Sequence, residues 1–253
     1  MIDTHSHLYA DEFLEDIDAV IQKCKAVGIT KVFLPAIDSG SHVQMLKLAH
    51  DYQDFCVPMM GLHPCYVDDR FDQELDLVRD WLEKEKFAAV GEVGLDFYHS
   101  TEFKMQQEKA FQVQIEWSIE KGLPLVIHSR SSMDECIKMI AEHGKGKCRG
   151  IFHCFGGDER QANKAIELGF YLGIGGVVTY KNAGLAKIVE NIPLEHLVLE
   201  TDAPYLAPVP YRGKRNESSY LVSIANKIAE LKSVTLAEVD AITTANAKKI
   251  FGF

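Results

Sequence analysis

Short, densely apolar runs recur along the chain, at 2–7 (IDTHSH), 31–36 (KVFLPA), 56–63 (CVPMMGLH), 88–94 (AAVGEVG), 123–129 (LPLVIHS), 150–154 (GIFHC), 170–176 (FYLGIGG) and 196–202 (HLVLETD). Most are too apolar for a half-exposed strand and too short for a buried helix, which predicts strands covered on both faces. Longer amphipathic stretches separate them. Phe13, Ile17, Val20, Ile21 and Cys24 fall at helical spacing within 11–28, and Phe111, Ile115 and Ile119 stand four apart within 104–122. Ser132 with Glu135, Asp158 with Gln161 and Thr235 with Glu238 have capping-box spacing and predict helix starts. Gly28, Gly122 and Gly169 stand where helices should stop.

Eight strands alternating with helices predict an α/β fold, a (β/α)8 TIM barrel. A doubly wound open sheet would use the same alternation. The count of eight, and a length of 253 residues close to the ~250 usual for the barrel, favour closure. No linker, low-complexity tract or change of composition divides the chain, so residues 1–253 read as a single domain.

Polar residues then stand out by position. In a parallel barrel the carboxyl-terminal strand ends share one rim, where active sites of this fold lie. Here those ends read His5-Ser-His7, Gly-Leu-His63-Pro, Glu92-Val-Gly-Leu-Asp96, His128-Ser-Arg130, His153-Cys and Glu200-Thr-Asp202. Five of the ten histidines occupy such ends, while His42, His50, His99, His143 and His196 fall in helices and loops and read as surface or packing residues. An isolated His-x-His is most simply a polar strand end meeting solvent. Strand periodicity puts His5 and His7 on one face, and the ring of matching ends makes them members of a metal site.

Imidazole and carboxylate donors without a cysteine in register suit Zn²⁺, Mn²⁺ or Mg²⁺. His5, His7, Glu92, His128, His153 and Asp202 are too many for one catalytic ion with an open position. Two ions bridged by Glu92 is the economical arrangement, with His5, His7 and Asp202 on one and His128 and His153 on the other. Such a pair, ~3.5–4 Å apart, can hold a hydroxide and clamp an in-line displacement at phosphorus. Cys154, next to His153 on a strand, is expected to face the other way and pack.

Bulk properties narrow the field. A composition 47% hydrophobic and 25% charged is ordinary for a globular protein. The net charge of −10 argues against a broad basic surface for long nucleic acid, although bound cations would reverse the local field. The six cysteines form no CxxC pair and read as reduced thiols. With no signal peptide and no apolar run long enough to span a bilayer, the expected location is the cytoplasm, away from membranes.

Taken together, IDTHSHL, GLHP, VGEVGLDF, PLVIHSR, FHCFGG and LETDAPYLAP resemble the TatD-type deoxyribonuclease family of the amidohydrolase-like superfamily, over almost the whole chain. The loop PVPYRGKRNE (208–217) is similar too, except that Ser218 stands where a proline often follows. The resemblance implies a (β/α)8 barrel with two or three divalent ions, hydrolysing DNA phosphodiesters with Mg²⁺ or Mn²⁺, Zn²⁺ being an alternative bound species. It places the ligands on the same six residues. Glu200 is either a ligand of a third ion or a group orienting the others. Asp202, Glu92 and Glu200 are the catalytic candidates; His63, Arg130, Arg212 and Arg215 are candidates for gripping phosphate. Tyr66, Tyr180 and Tyr205 could stack on bases or simply pack.

The expected substrate is DNA, held over a short footprint at single-stranded or frayed ends, with no obligate protein partner. Two other functions use the same frame. An amidohydrolase, lactonase or phosphoesterase acting on a small molecule shares barrel and ions, though strand four offers Glu92 rather than the lysine that many such enzymes carbamylate. A non-catalytic metal-binding scaffold predicts a broken ligand set, and all six positions are filled.

Overall fold

The computed structural model describes residues 1–98 and 100–253; His99, expected at the surface or in packing, lies outside them. Among these described residues eight strands alternate with helices: β1 (Ile2–Asp3), α1 (Ile17–Ala26), β2 (Lys31–Pro35), α2 (Ser39–Asp51), β3 (Cys56–Met59), α3 (Phe71–Lys84), β4 (Val90–Asp96), α4 (Lys104–Lys121), β5 (Leu125–Arg130), α5 (Met133–His143), β6 (Gly150–Phe152), α6 (Glu159–Glu167), β7 (Phe170–Ile174), α7 (Leu185–Asn191), β8 (Leu197–Leu199), and then α8 (Leu221–Lys232) and α9 (Leu236–Phe251). Every ladder is parallel, in the orders β1-β2-β3 and β4-β5-β6-β7-β8.

Two seams close these ladders into a (β/α)8 barrel. At one, Met60 bridges Val90, with Gly91 N donating to Met60 O at 3.0 Å. At the other, Thr4 N donates to Leu199 O (3.0 Å) and Asp202 N to His5 O (2.9 Å). The regular part of β1 is therefore shorter than the 2–7 expected: after Asp3 the backbone leaves the ladder and threads between its neighbours.

Strand alternation sorts the core into two layers. Ile2, Phe33, Met59, Val126, Ile151 and Val198 fill the barrel interior, joined from below by Ala247 and Ile250 of α9. Phe251 stacks on Phe33 with ring centroids 3.8 Å apart. The intervening residues, such as Val32, Leu34, Leu125 and Ile127, face outward into the larger cluster shared with the helices. With α9 plugging the amino-terminal end, the opposite rim is left for chemistry.

The expected boxes at Asp158–Gln161 and Thr235–Glu238 cap α6 and α9. Ser132 does not cap α5; its hydroxyl donates instead to Leu95 O of β4 at 2.7 Å. Gly28, Gly122 and Gly169 all adopt positive φ just after helices.

Candidate metal centre

Glu92 sits at the middle of the rim. The register between β4 and β5 shifts between Gly91 and Val93, so Glu92 has no partner in that ladder; such irregularities re-aim a side chain. Its carboxylate is buried, and its two oxygens face different histidines. Oε2 lies 3.1 Å from His5 Nε2 and 3.6 Å from His7 Nε2. Oε1 lies 3.0 Å from His128 Nδ1 and 3.3 Å from both His63 Nε2 and His153 Nε2. Asp202 Oδ1 joins the first side, 3.5 Å from His7 Nε2 and 3.8 Å from His5 Nε2. All six sequence-derived ligand positions thus converge, each from a different strand end except His5 and His7.

Among the described residues three groups of donor atoms are compact enough to hold an ion: His5, His153 and Asp202; His5, His7 and Glu92; and His63, Glu92 and His128. The charges agree. Burial alone would raise the Glu92 carboxyl, yet His63, His5 and His153 hold it well below its ordinary value. Asp202 is likewise lowered: burial opposes this, but His7, His153 and His5 outweigh it. Burial lowers His5 and His63, favouring neutral imidazoles. Burial also pulls on His153, but Glu200 and Glu92 overcome it and push the ring up to about 10. His5 Nδ1 and Glu200 Oε2 are buried without a hydrogen-bond partner. Ionised carboxylates crowded by imidazoles in a buried cluster fit divalent cations.

Neighbouring groups orient the rings. His128 places Nε2 2.9 Å from Asp96 Oδ2, behind the ring as seen from Glu92. Glu200 Oε1 lies 3.1 Å from His153 Nδ1, slightly off the hydrogen-bond line, and accepts from Cys154 N at 2.6 Å. Gly173 makes room for it, since a Cβ there would come within 2.2 Å of Glu200 Oε2. His63 is set differently. Its Nδ1 accepts from Cys65 N at 3.0 Å, so the neutral ring carries its proton on Nε2 and points an N–H at Glu92. In that form His63 presents a donor to Glu92, although it also stands in one of the three groups.

Above the cluster opens a cavity of about 970 Å³ lined by His7, Tyr66, Glu92, Arg130, Cys154 and Tyr205 among others. Arg130 holds its guanidinium 3.9 Å from the Tyr98 ring centroid. Tyr66 and Tyr205 are exposed at the mouth, edge-on to His63 and His7 respectively.

Three residues depart from expectation. Cys154 does not turn away: β6 ends at Phe152, and with φ at 45° Cys154 leaves strand geometry and lines the cavity beside His153. Arg215 lies outside the cavity lining; it makes paired contacts to Asp16 at 2.8 and 2.7 Å and a further one to Glu217 at 3.0 Å. Arg212 lies over the ring of Tyr180, whose hydroxyl donates to Ala207 O, and neither residue lines the cavity.

A profile of the family described as TatD related DNase matches residues 2–252. The chain belongs to that family. The TatD assignment brings curated relatives: the uncharacterized metal-dependent hydrolase YabD of Bacillus subtilis is 37% identical over 252 residues, covering 99% of this chain and 98% of that one. The 3'-5' ssDNA/RNA exonuclease TatD of Pantoea ananatis is 29% identical, covering 100% and 99%. Among solved structures, the TatD homologue YjjV of Escherichia coli K12 superposes with a TM-score of 0.94 at 28% identity, over 100% of this chain and 98% of that one. This TatD protein is accordingly a metal-dependent hydrolase by family, on a TIM barrel.

Proposed function

We propose that this TatD protein hydrolyses DNA phosphodiesters from single-stranded or frayed ends, with two divalent ions that Glu92 and the residues around it would hold. The observation that carries the reading is the division of Glu92: one oxygen faces His5 and His7, the other His128 and His153. His5, His7 and Asp202 would hold one ion, and His128 and His153 the other. Mg²⁺ or Mn²⁺ would support activity, with Zn²⁺ as an alternative occupant. Bound there, the ions would lower the pKa of water toward ~7 and polarise a phosphoryl oxygen.

The chain's own groups do the rest. Asp202, held ionised, accepts or orients the proton of the attacking water. Arg130 and His63 both line the cavity where charge grows on the phosphoryl oxygens; the guanidinium would meet it directly, and the His63 Nε2–H, 3.3 Å from Glu92 Oε1 in the free protein, would pass to those oxygens when substrate is bound. Glu200 sets His153 with Oε1, 3.1 Å from Nδ1 and accepting from Cys154 N, while its unpartnered Oε2 stays open to a third ion. Tyr66 and Tyr205 offer exposed rings on which bases can stack. The relative named as an ssDNA/RNA exonuclease supports this substrate class. Among the described residues no helix is long and apolar enough to cross a membrane, and a cytoplasmic location is part of the same proposal.

End-labelled single-stranded DNA incubated with Mg²⁺ tests the reading. Laddering by wild type, lost with chelator and in Asp202→Asn, is the expected result, and the labelled end reports polarity. Intact DNA with both proteins, while metal analysis shows filled sites, would overturn it and direct the search to small phosphoesters and lactones.

A further inference from the structure

We infer that Tyr9 is a positioning residue that fixes the tautomer of His7, keeping the Nε2 lone pair turned toward Glu92 and Asp202; this rests on the metal-centre reading above. The buried Tyr9 hydroxyl lies 2.6 Å from Pro35 O and 2.8 Å from His7 Nδ1. A carbonyl has no proton to give, so an oxygen–oxygen separation that short requires the phenol proton to lie between them. The phenol has only one. Its oxygen must therefore meet Nδ1 as an acceptor, and Nδ1 must carry hydrogen.

In the neutral ring Nε2 is then bare. It faces Asp202 Oδ1 at 3.5 Å and Glu92 Oε2 at 3.6 Å. Those carboxylates by themselves favour the opposite form, because an Nε2–H aimed at them is attracted by both. Such a proton would occupy the space a cation needs. The alternative would also bring the Nδ1 and phenol lone pairs face to face. Tyr9 and the β2 carbonyl thus act together: the end of β2 sets the phenol, and the phenol sets the ring. A residue two positions past the His-x-His motif acquires a role through chemistry that the motif does not contain.

The test is a long-range ¹H–¹⁵N spectrum of metal-free protein carrying ¹⁵N-histidine, at about pH 8.5, two units above the ordinary imidazole value. His7→Gln identifies the His7 signals by their loss. The expected spectrum shows His7 as the Nδ1–H form; an Nε2–H form in wild type overturns the inference with no variant needed. Tyr9→Phe keeps the ring and removes the hydroxyl. It should move His7 toward Nε2–H and weaken Zn²⁺ binding, read by calorimetry, about 10- to 100-fold. Unchanged tautomer and affinity in a folded Tyr9→Phe protein would also overturn it. Neither readout involves DNA, so failure of the nuclease reading leaves both interpretable.

Discussion

His63 and His128 both contact Glu92 Oε1 at 3.3 and 3.0 Å, yet their substitution should have different effects. His63→Ala removes a donor and should cut the hydrolysis rate about a hundredfold with metal content unchanged. His128→Ala removes a proposed ligand and should lower metal content as well. Metal analysis beside single-turnover rates separates them, and loss of an ion in His63→Ala would make that residue a ligand after all. The convergence of six residues could be read from the sequence because histidine and carboxylate at a strand end have few structural uses. Other residues could not. Tyr9 looks like one more aromatic core residue, and Asp96 like the end of a strand. Cys154 follows strand alternation on paper; its left-handed backbone, costing about 1–2 kcal/mol, turns it into the cavity.

Between elements, α4 braces the rim through two side chains that resemble surface glutamines in the sequence. Gln114 Nε2 donates to Leu62 O at 3.2 Å and its Oε1 accepts from Leu62 N at 2.7 Å, one residue before His63. Gln107 makes the same pair of bonds with the backbone of Asp96. Seven residues apart, the two lie on one face of the helix and act as substitutes for missing ladder bonds. Gln114→Leu strands two buried backbone groups, each costing about 1–3 kcal/mol, and the loss should be read from the denaturation midpoint. The loop after β8 is tied differently, by Arg215 to Asp16 ahead of α1. Hydrogen bonding from Arg215 holds the Asp16 carboxyl below its ordinary value of 3.8, so its stabilisation is present above that value and is lost as pH falls through the lowered one. Asp16 is partly exposed, which limits the effect to under about 1 kcal/mol. Asp16→Asn should therefore flatten the acid limb of the stability curve below about pH 4 and leave KM for DNA unchanged. A shifted KM would return Arg215 to the substrate.

For the molecule as a whole, a net charge of −10 leaves little general attraction for a polyanion. Binding through one cationic pocket should give a shallow salt dependence, with a slope of log affinity against log salt of about −1 to −2 for single strands. Titration of a fluorescent oligonucleotide at several salt concentrations measures it, and a slope of many phosphates would contradict the small footprint. The barrel itself was readable because eight apolar runs leave few alternatives; the seams were not, since no periodicity encodes the bonds from Thr4 to Leu199 or from Asp202 to His5. The second seam has a temporal side. Asp3 accepts from Thr201 N and Oγ1 across 198 residues, and His7 and Asp202 meet beside it. On a ribosome adding about 5–20 residues per second, the first two imidazoles emerge and wait roughly 10–40 s for their carboxylate. Until then the nascent chain carries an open chelating pair with no pocket around it. Covalent order thus imposes a sequence of events: the ring must close before His5 and His7 meet Asp202, and no fragment lacking either end can assemble that side of the centre.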